Sequence, residues 1–295
     1  MDFIRLSLGD ITALRPYFEH NDCRICDCTI GGTFMWRDFY KTHYAIQGGL
    51  LYLKVEYLPG VIAFAPPRGD AHDRAEAYEA IRQECRVLGV PPRVCAVSEG
   101  RLQELLQIYP DARYETNRDW SDYLYRAEDL IKLAGRRYAG QRNHINAFLR
   151  EHPDWSFEAL TSENRAEIRD FFASHFEEHA MGNPTYDEGN YKTLEALDNL
   201  ELYGLLGGAL RAEGRIVGAA LGEIVGDTLF VHSERAEKDV RGAYQMLVSQ
   251  FARAFASNLA FINREEDDGV EGLRRAKLAY HPVRILDKYL VELPS

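Results

Sequence analysis

Apolar and polar positions along the chain fall into two rounds of the same order. The first opens with a short helix at residues 7–20; residues 43–47 and 50–56 then alternate apolar and polar on either side of Gly48-Gly49, which predicts a β-hairpin. Val61–Ala65 predicts a further strand, stopped by Pro66-Pro67. Residues 71–88 switch to a helical period, with Ala77, Ala80, Ile81, Cys85 and Leu88 on one stripe. Val94–Val97 predicts a short buried strand, residues 99–107 a short helix and Trp120–Arg126 another strand. A basic helix from Ala127 to about His152 opens the second round. A strand at 155–160 and helices at 163–179 and 190–200, joined by a polar loop, come next. Three strands follow at 203–210, 215–225 and 228–232, turning at Glu213-Gly214 and Gly226-Asp227. Helix 240–256, strand 259–263, helix 269–279 and strand 283–291 complete the round.

Each round runs helix, antiparallel strands, then alternating strand and helix, without visible sequence repetition. The order predicts an α/β protein with mixed α+β sheets in two domains of related design, residues 1–127 and 128–295. Composition changes this picture little. A hydrophobic content of 46% in 295 residues supports a substantial core, and a net charge of −11 argues against broad non-specific nucleic-acid binding. No apolar run approaches the roughly 20 residues that span a bilayer, and the N-terminal stretch lacks a signal-peptide pattern, so a cytoplasmic location is expected.

Polar chemistry concentrates at two strand ends in the last third of the chain. The first is Val231-His232-Ser233-Glu234-Arg235. Alternation places His232 and Glu234 on one face, Ser233 and Arg235 on the other. Val240-Arg241-Gly242-Ala243-Tyr244 then opens a helix whose free N–H groups suit a phosphate or carboxylate. The second is Asn263-Arg264-Glu265-Glu266-Asp267-Asp268-Gly269. Four acids before a helix either complement its dipole or receive a cationic group such as an amine. The following helix is expected to expose Arg274, Arg275 and Lys277. Tyr280 ends it, placed either to give a proton to a leaving group or to pack its ring.

These residues carry a family resemblance. His232, Glu234, Gly242-Ala243-Tyr244, Asn263-Arg264-Glu265-Glu266-Asp267 and Leu273-Arg274-Arg275-Ala276-Lys277 resemble the C-terminal domain family of phosphatidylglycerol lysyltransferase. So do Gly135-Arg136-Arg137-Tyr138-Ala139-Gly140-Gln141-Arg142-Asn143-His144-Ile145-Asn146 with Phe148, and Thr33-Phe34-Met35-Trp36 with Tyr40 and Tyr44. The resemblance implies a tandem GNAT-like fold and an acyl or aminoacyl transferase. The donor would be acyl-CoA or aminoacyl-tRNA, and the acceptor an amine or hydroxyl on a small molecule or lipid head group. It also implies Asn263 and Tyr280 as participants by their order. Against the usual GNAT phosphate turn, Asp239 stands where a basic residue belongs and Tyr244 where a small one belongs. The alternative is a catalytically silent protein of this fold that binds tRNA or another ligand.

Within that frame Glu234 is the expected general base, with His232 as the second candidate, and Tyr280 the acid. Asn263, Arg264, Glu265, Glu266, Asp267, Arg274 and Lys277 are the expected substrate contacts. Arg241, Gly242, Ala243 and Tyr244, with Arg136, Arg137 and Arg142 on the basic helix, are the expected donor contacts; the helix would track a phosphate backbone or simply be solvated. Cys23-x-x-Cys26-x-Cys28 is the one metal-like spacing, with His20 close by. Cys85 and Cys95 read as small core residues and a second tight pair is missing, so no metal is expected.

Overall fold

The computed structural model describes residues 1–19, 23–70, 74–178 and 184–294. The chain forms two units. One comprises Met1–Asp122, Glu266–Gly269 and Leu286–Ser295; the other comprises Tyr123–Glu265 and Val270–Ile285. Each is built on its own seven-stranded mixed sheet.

The first sheet contains β1 (Ile4–Arg5), β2 (His43–Gln47), β3 (Leu50–Leu58), β4 (Val61–Phe64), β5 (Arg93–Val97), β6 (Arg113–Thr116) and β14 (Tyr289–Glu292). The second contains β7 (Asp122–Arg126), β8 (Ser156–Ala159), β9 (Leu206–Ala212), β10 (Arg215–Val225), β11 (Thr228–Ala236), β12 (Phe261–Asn263) and β13 (Arg284–Leu286). Their orders are β1-β2-β3-β4-β5-β14-β6 and β13-β7-β12-β11-β10-β9-β8. The two orders are equivalent. Four strands run antiparallel in sequence, and a fifth lies parallel to the fourth, β5 on β4 and β12 on β11. An antiparallel strand from elsewhere in the chain then separates the fifth from the last. In the first unit that strand is β14, in the second β7. This is the tandem GNAT-like arrangement expected from the sequence.

A division at residue 127 assigns the C-terminal strand to the second domain, whereas β14 lies in the first sheet. Alternation identifies a strand but not its partner, so this exchange has no local signature. The expected strand 283–291 is accordingly two short strands, broken at Asp287-Lys288. The expected basic helix is also interrupted. Helix Ala127–Lys132 ends with Leu133 in the left-handed region (φ 46°), a 3₁₀ turn covers Arg136–Tyr138, and a new helix runs Ala139–Glu151.

The core of the second unit follows from the helix Ala243–Phe255. Met246, Leu247, Val248, Phe251 and Ala252 form one buried stripe against Ala220, Leu229 and Val231 of the sheet. Each fully buried large side chain contributes roughly 1.5–3 kcal/mol relative to exposure. No described helix is long and apolar enough to cross a membrane.

Candidate active site

The parallel pair β11 and β12 stays in register only from Thr228↔Phe261 to Phe230↔Asn263. Beyond that β11 continues to Ala236 while the chain leaves β12 at Arg264, which opens the sheet at the carboxyl ends of the two strands, the usual ligand position in α/β sheets. The register of β11 against β10 slips here. Leu221 pairs with Ser233 and Gly222 with Val231, so His232 is the extra residue of a bulge. Ala220 lies opposite Glu234 and faces the core, whereas Glu223, three positions on, belongs to the other face and holds the His232 ring. The expected shared face for His232 and Glu234 is therefore corrected: the bulge turns them apart.

Glu234 and Arg264 form a buried ion pair, Nη2 to Oε2, at 2.5 Å. The guanidinium carbon stands 4.9 Å from the Tyr280 ring centre and 5.8 Å from that of Tyr125. Lys277 Nζ donates to the carbonyls of Arg264 (2.6 Å) and Glu265 (3.2 Å), and Tyr125 Oη donates to the Lys277 carbonyl at 2.8 Å. Tyr244 Oη donates to the Glu234 carbonyl at 3.4 Å. These bonds fix the chain on both sides of the ion pair. Among the described residues, three buried polar atoms in this cluster have no hydrogen-bond partner: Arg264 Nε, Arg264 Nη1 and Tyr280 Oη. Buried donors without partners cost free energy unless a ligand takes them up. Burial, opposed by Arg264 and reinforced by Glu234, pushes the Tyr280 hydroxyl well above the usual phenol range, so it stays protonated and able to donate.

His232 sits between two carboxylates, Nε2 at 2.8 Å from Glu223 and Nδ1 at 2.6 Å from Glu265. Burial works against its charge, but Glu265 and Glu223 outweigh it and lift the pKa to about 10. An imidazolium at neutral pH has no free lone pair, so the expectation of His232 as a general base is corrected. Glu223 gave a sequence signal that was missed, a single carboxylate within the otherwise apolar run of β10.

The acidic run disperses. Asn263 Oδ1 accepts from the Glu265 N–H at 2.6 Å, shaping the turn. Glu265 serves His232. Asp267 accepts from the Gly269 N–H at 3.0 Å. Glu266 belongs to the first unit and points at an ammonium, as expected of an acid near an amine, but the amine is the protein's own Lys288. Lys288 Nζ lies 2.7 Å from Asp27, 2.9 Å from Asp122, 3.2 Å from Glu266 and 3.2 Å from Cys26 Sγ. Cys26, Asp122 and Glu266 present ligand atoms within 4.8 Å of one another, yet the Lys288 ammonium bonds all three. Burial, with Glu266 and Asp27 adding to it against the pull of Lys288, raises Asp122 to about 8. Lys288, Asp122 and Asp27 were missed from sequence because they lie far apart along it. His20 lies outside the described residues.

The exposure expected of the next helix is corrected by packing. Lys277 is buried rather than exposed, and Arg274 is half-buried. Gly242 has φ 83°, and a Cβ there would stand 2.2 Å from the His144 carbonyl oxygen. Its small size therefore lets the helix Ala139–Glu151 pack closely against the turn. Ala243 is in the core and Arg241 reaches Glu151 at 3.9 Å. Gly242→Ala should lower the unfolding free energy by roughly 1–3 kcal/mol through positive φ and overpacking. Chemical denaturation measures it, and an unchanged midpoint would refute the close approach. Arg142 Nη1 donates to the carbonyls of Leu133 (2.5 Å) and Gly135 (2.7 Å), and Arg137 pairs with Asp129 at 2.9 Å, so both stabilise the helix break; Arg136 is exposed.

The fold has relatives of known structure. A conserved protein of unknown function from Bacteroides thetaiotaomicron is 30% identical and superimposes with a TM-score of 0.92, covering 100% of both chains. The C-terminal domain of a candidate lysylphosphatidylglycerol synthetase from Agrobacterium fabrum is 14% identical with a TM-score of 0.71, over 98% of this chain and 93% of that one, a likeness of fold alone. A curated, uncharacterised protein of Mycoplasmoides gallisepticum is 24% identical over 175 residues, 59% of this chain and 56% of that protein. The chain thus spans just over half the length of that relative. The sequence profile described as phosphatidylglycerol lysyltransferase, C-terminal, matches residues 23–292, and the chain belongs to that family.

Proposed function

We propose that the protein is an aminoacyl or acyl transferase whose chemistry runs at Arg264, Glu234 and Tyr280. The observation that carries this is the buried guanidinium, held by Glu234 on one side, with Nε and Nη1 and the neighbouring Tyr280 hydroxyl unpartnered among the described residues. Attack of an amine or hydroxyl on an activated ester develops negative charge on the carbonyl oxygen. Guanidinium N–H groups stabilise that charge in a water-poor site. Tyr280 gives its proton to the leaving oxygen or sulfur, and Glu234 is the nearby carboxylate that takes the acceptor's proton. The donor is acyl-CoA or aminoacyl-tRNA, the two activated acyl carriers that this chemistry accepts. The family name makes a lipid head group one acceptor to test, beside small amines. In this reading the protein works in the cytoplasm.

Assaying charged tRNAs and acyl-CoAs against amine, hydroxyl and lipid head-group acceptors tests the proposal. Turnover should fall by roughly 10²–10⁴ in Tyr280→Phe. A second reading, a silent ligand- or tRNA-binding protein, draws on the packed Gly242 turn. It gains if tRNA is retained while wild type and Tyr280→Phe are equally inactive across the panel.

A further inference from the structure

The first unit has its own parallel pair, β4 and β5, and its carboxyl ends lead to Arg68 and Ser98. This is the counterpart of the position that holds Arg264 in the second unit. What stands there is a pair of thiols. Cys23 and Cys28 approach to 2.6 Å, sulfur to sulfur, and both are half-buried. The segment between them is pinned. Ile25 and Cys26 are buried, the Cys28 N–H donates to the Ile25 carbonyl at 3.1 Å, and Arg68 Nη2 donates to the Asp27 carbonyl at 2.7 Å. Gly32 in the helix that follows leaves room for the turn, since a Cβ there would stand 2.1 Å from the Cys26 carbonyl oxygen. Ends held this way meet without further ordering of the chain. Arg68 Nη1 is buried with no hydrogen-bond partner among the described residues, and the guanidinium charge favours the Cys23 thiolate.

We propose that Cys23 and Cys28 form a redox-active dithiol, in which Cys23 attacks small-molecule disulfides and Cys28 resolves the mixed disulfide. The Cys23 thiolate attacks one sulfur of the disulfide, whose S–S bond breaks and releases one thiolate. That thiolate takes the Cys28 proton. Cys28 then attacks the Cys23 sulfur and expels the second thiolate, which is protonated by the proton Cys23 gave up. In sum, two protein thiols and one small disulfide give one protein disulfide and two small thiols. The two cysteines are suited to unequal roles. The hydrogen bond from Cys28 lowers Cys23 to about 7 against the effect of burial, with the Ile25 backbone, Ser98 and Arg68 helping. Cys28 is pushed well up by that same bond, by burial, by the Cys23 charge and by Asp27, with Arg68 opposing. The bridge would close the segment that carries Cys26 and Asp27, two of the groups around Lys288.

The test uses the whole protein with 2-hydroxyethyl disulfide as probe, acid quenching, alkylation under denaturing conditions and mass spectrometry. Two of the five thiols should become protected, with a mass lower by two hydrogens. Cleavage after Arg24 should leave the Cys23 peptide joined to the peptide of Cys26 and Cys28, and fragmentation should place the link at Cys28. In Cys28→Ser the mixed disulfide on Cys23 should persist, and in Cys26→Ser the bridge should still form. At neutral pH Cys23 should alkylate roughly threefold faster than an ordinary thiol, its greater ionisation being partly offset by lower nucleophilicity. Five alkylated thiols after excess oxidant, a bridge to Cys26, or a lasting Cys23 adduct in the wild type would each overturn the proposal.

Discussion

Lys288→Met should lower the folding stability by about 3–5 kcal/mol, the usual cost of removing one partner from a buried ion cluster. Methionine keeps most of the side-chain volume, so the loss isolates the ammonium. Asp27, Asp122 and Glu266 then face one another without a counter-ion, and Asp122 is fully buried. The penalty should depend on pH. In the intact protein Asp122 is raised to about 8, above its unfolded value near 3.9. A raised folded-state pKa means the folded state holds the proton more tightly. The resulting stability is complete below the unfolded value and is lost as pH rises through about 8. Wild-type stability should therefore fall between about pH 4 and pH 8, and Asp122→Asn should flatten that fall. In Lys288→Met the carboxylates lose their counter-charge and the deficit should be smaller at acidic pH than at pH 9. Urea denaturation across this range provides the measurement. A loss under about 1 kcal/mol, independent of pH, would mean that solvent already screens the cluster.

Arg264→Met should reduce transfer activity by roughly 10²–10³, in the range seen when one donor to a developing oxyanion is removed. The same change leaves Glu234 buried without its partner, which is destabilising whatever the function. Combining it with Glu234→Gln isolates the stability part, and Glu234→Gln alone gives the activity lost with the base. The double variant should regain most of the lost stability, because both charges are gone, and should remain inactive. Recovery of activity together with stability would reduce Arg264 to a structural ion and leave Tyr280 without its proposed partner. The neighbouring His232 offers an internal control, since an imidazolium held by Glu223 and Glu265 contributes to the turn rather than to proton removal.

Glu234, Arg264 and Tyr280 were all visible in the chain as polar residues at element ends, because a strand or helix that stops in polar side chains marks itself locally. Their relation was not visible. The bulge at His232 inverts the faces that simple alternation assigns, and it exists only through pairing with β10. The acids at 265–267 looked like one patch, but the turn around them sends Glu265 to His232, Glu266 to Lys288 and Asp267 to the Gly269 N–H. Gly242 looked like a phosphate turn because close approach always favours glycine, and the sequence does not say what approaches.

By itself the sequence determined the elements, the two-round order, the family resemblance and the tandem GNAT-like fold, all of which follow from periodicity and short motifs carried by consecutive residues. Tertiary structure decided which sheet receives β14 and β7, which charges are paired inside the protein, and which donors are left without partners. Those properties belong to contacts between residues as far apart as Cys26 and Lys288, whose free energy of pairing and desolvation exists only once the chain has closed on itself.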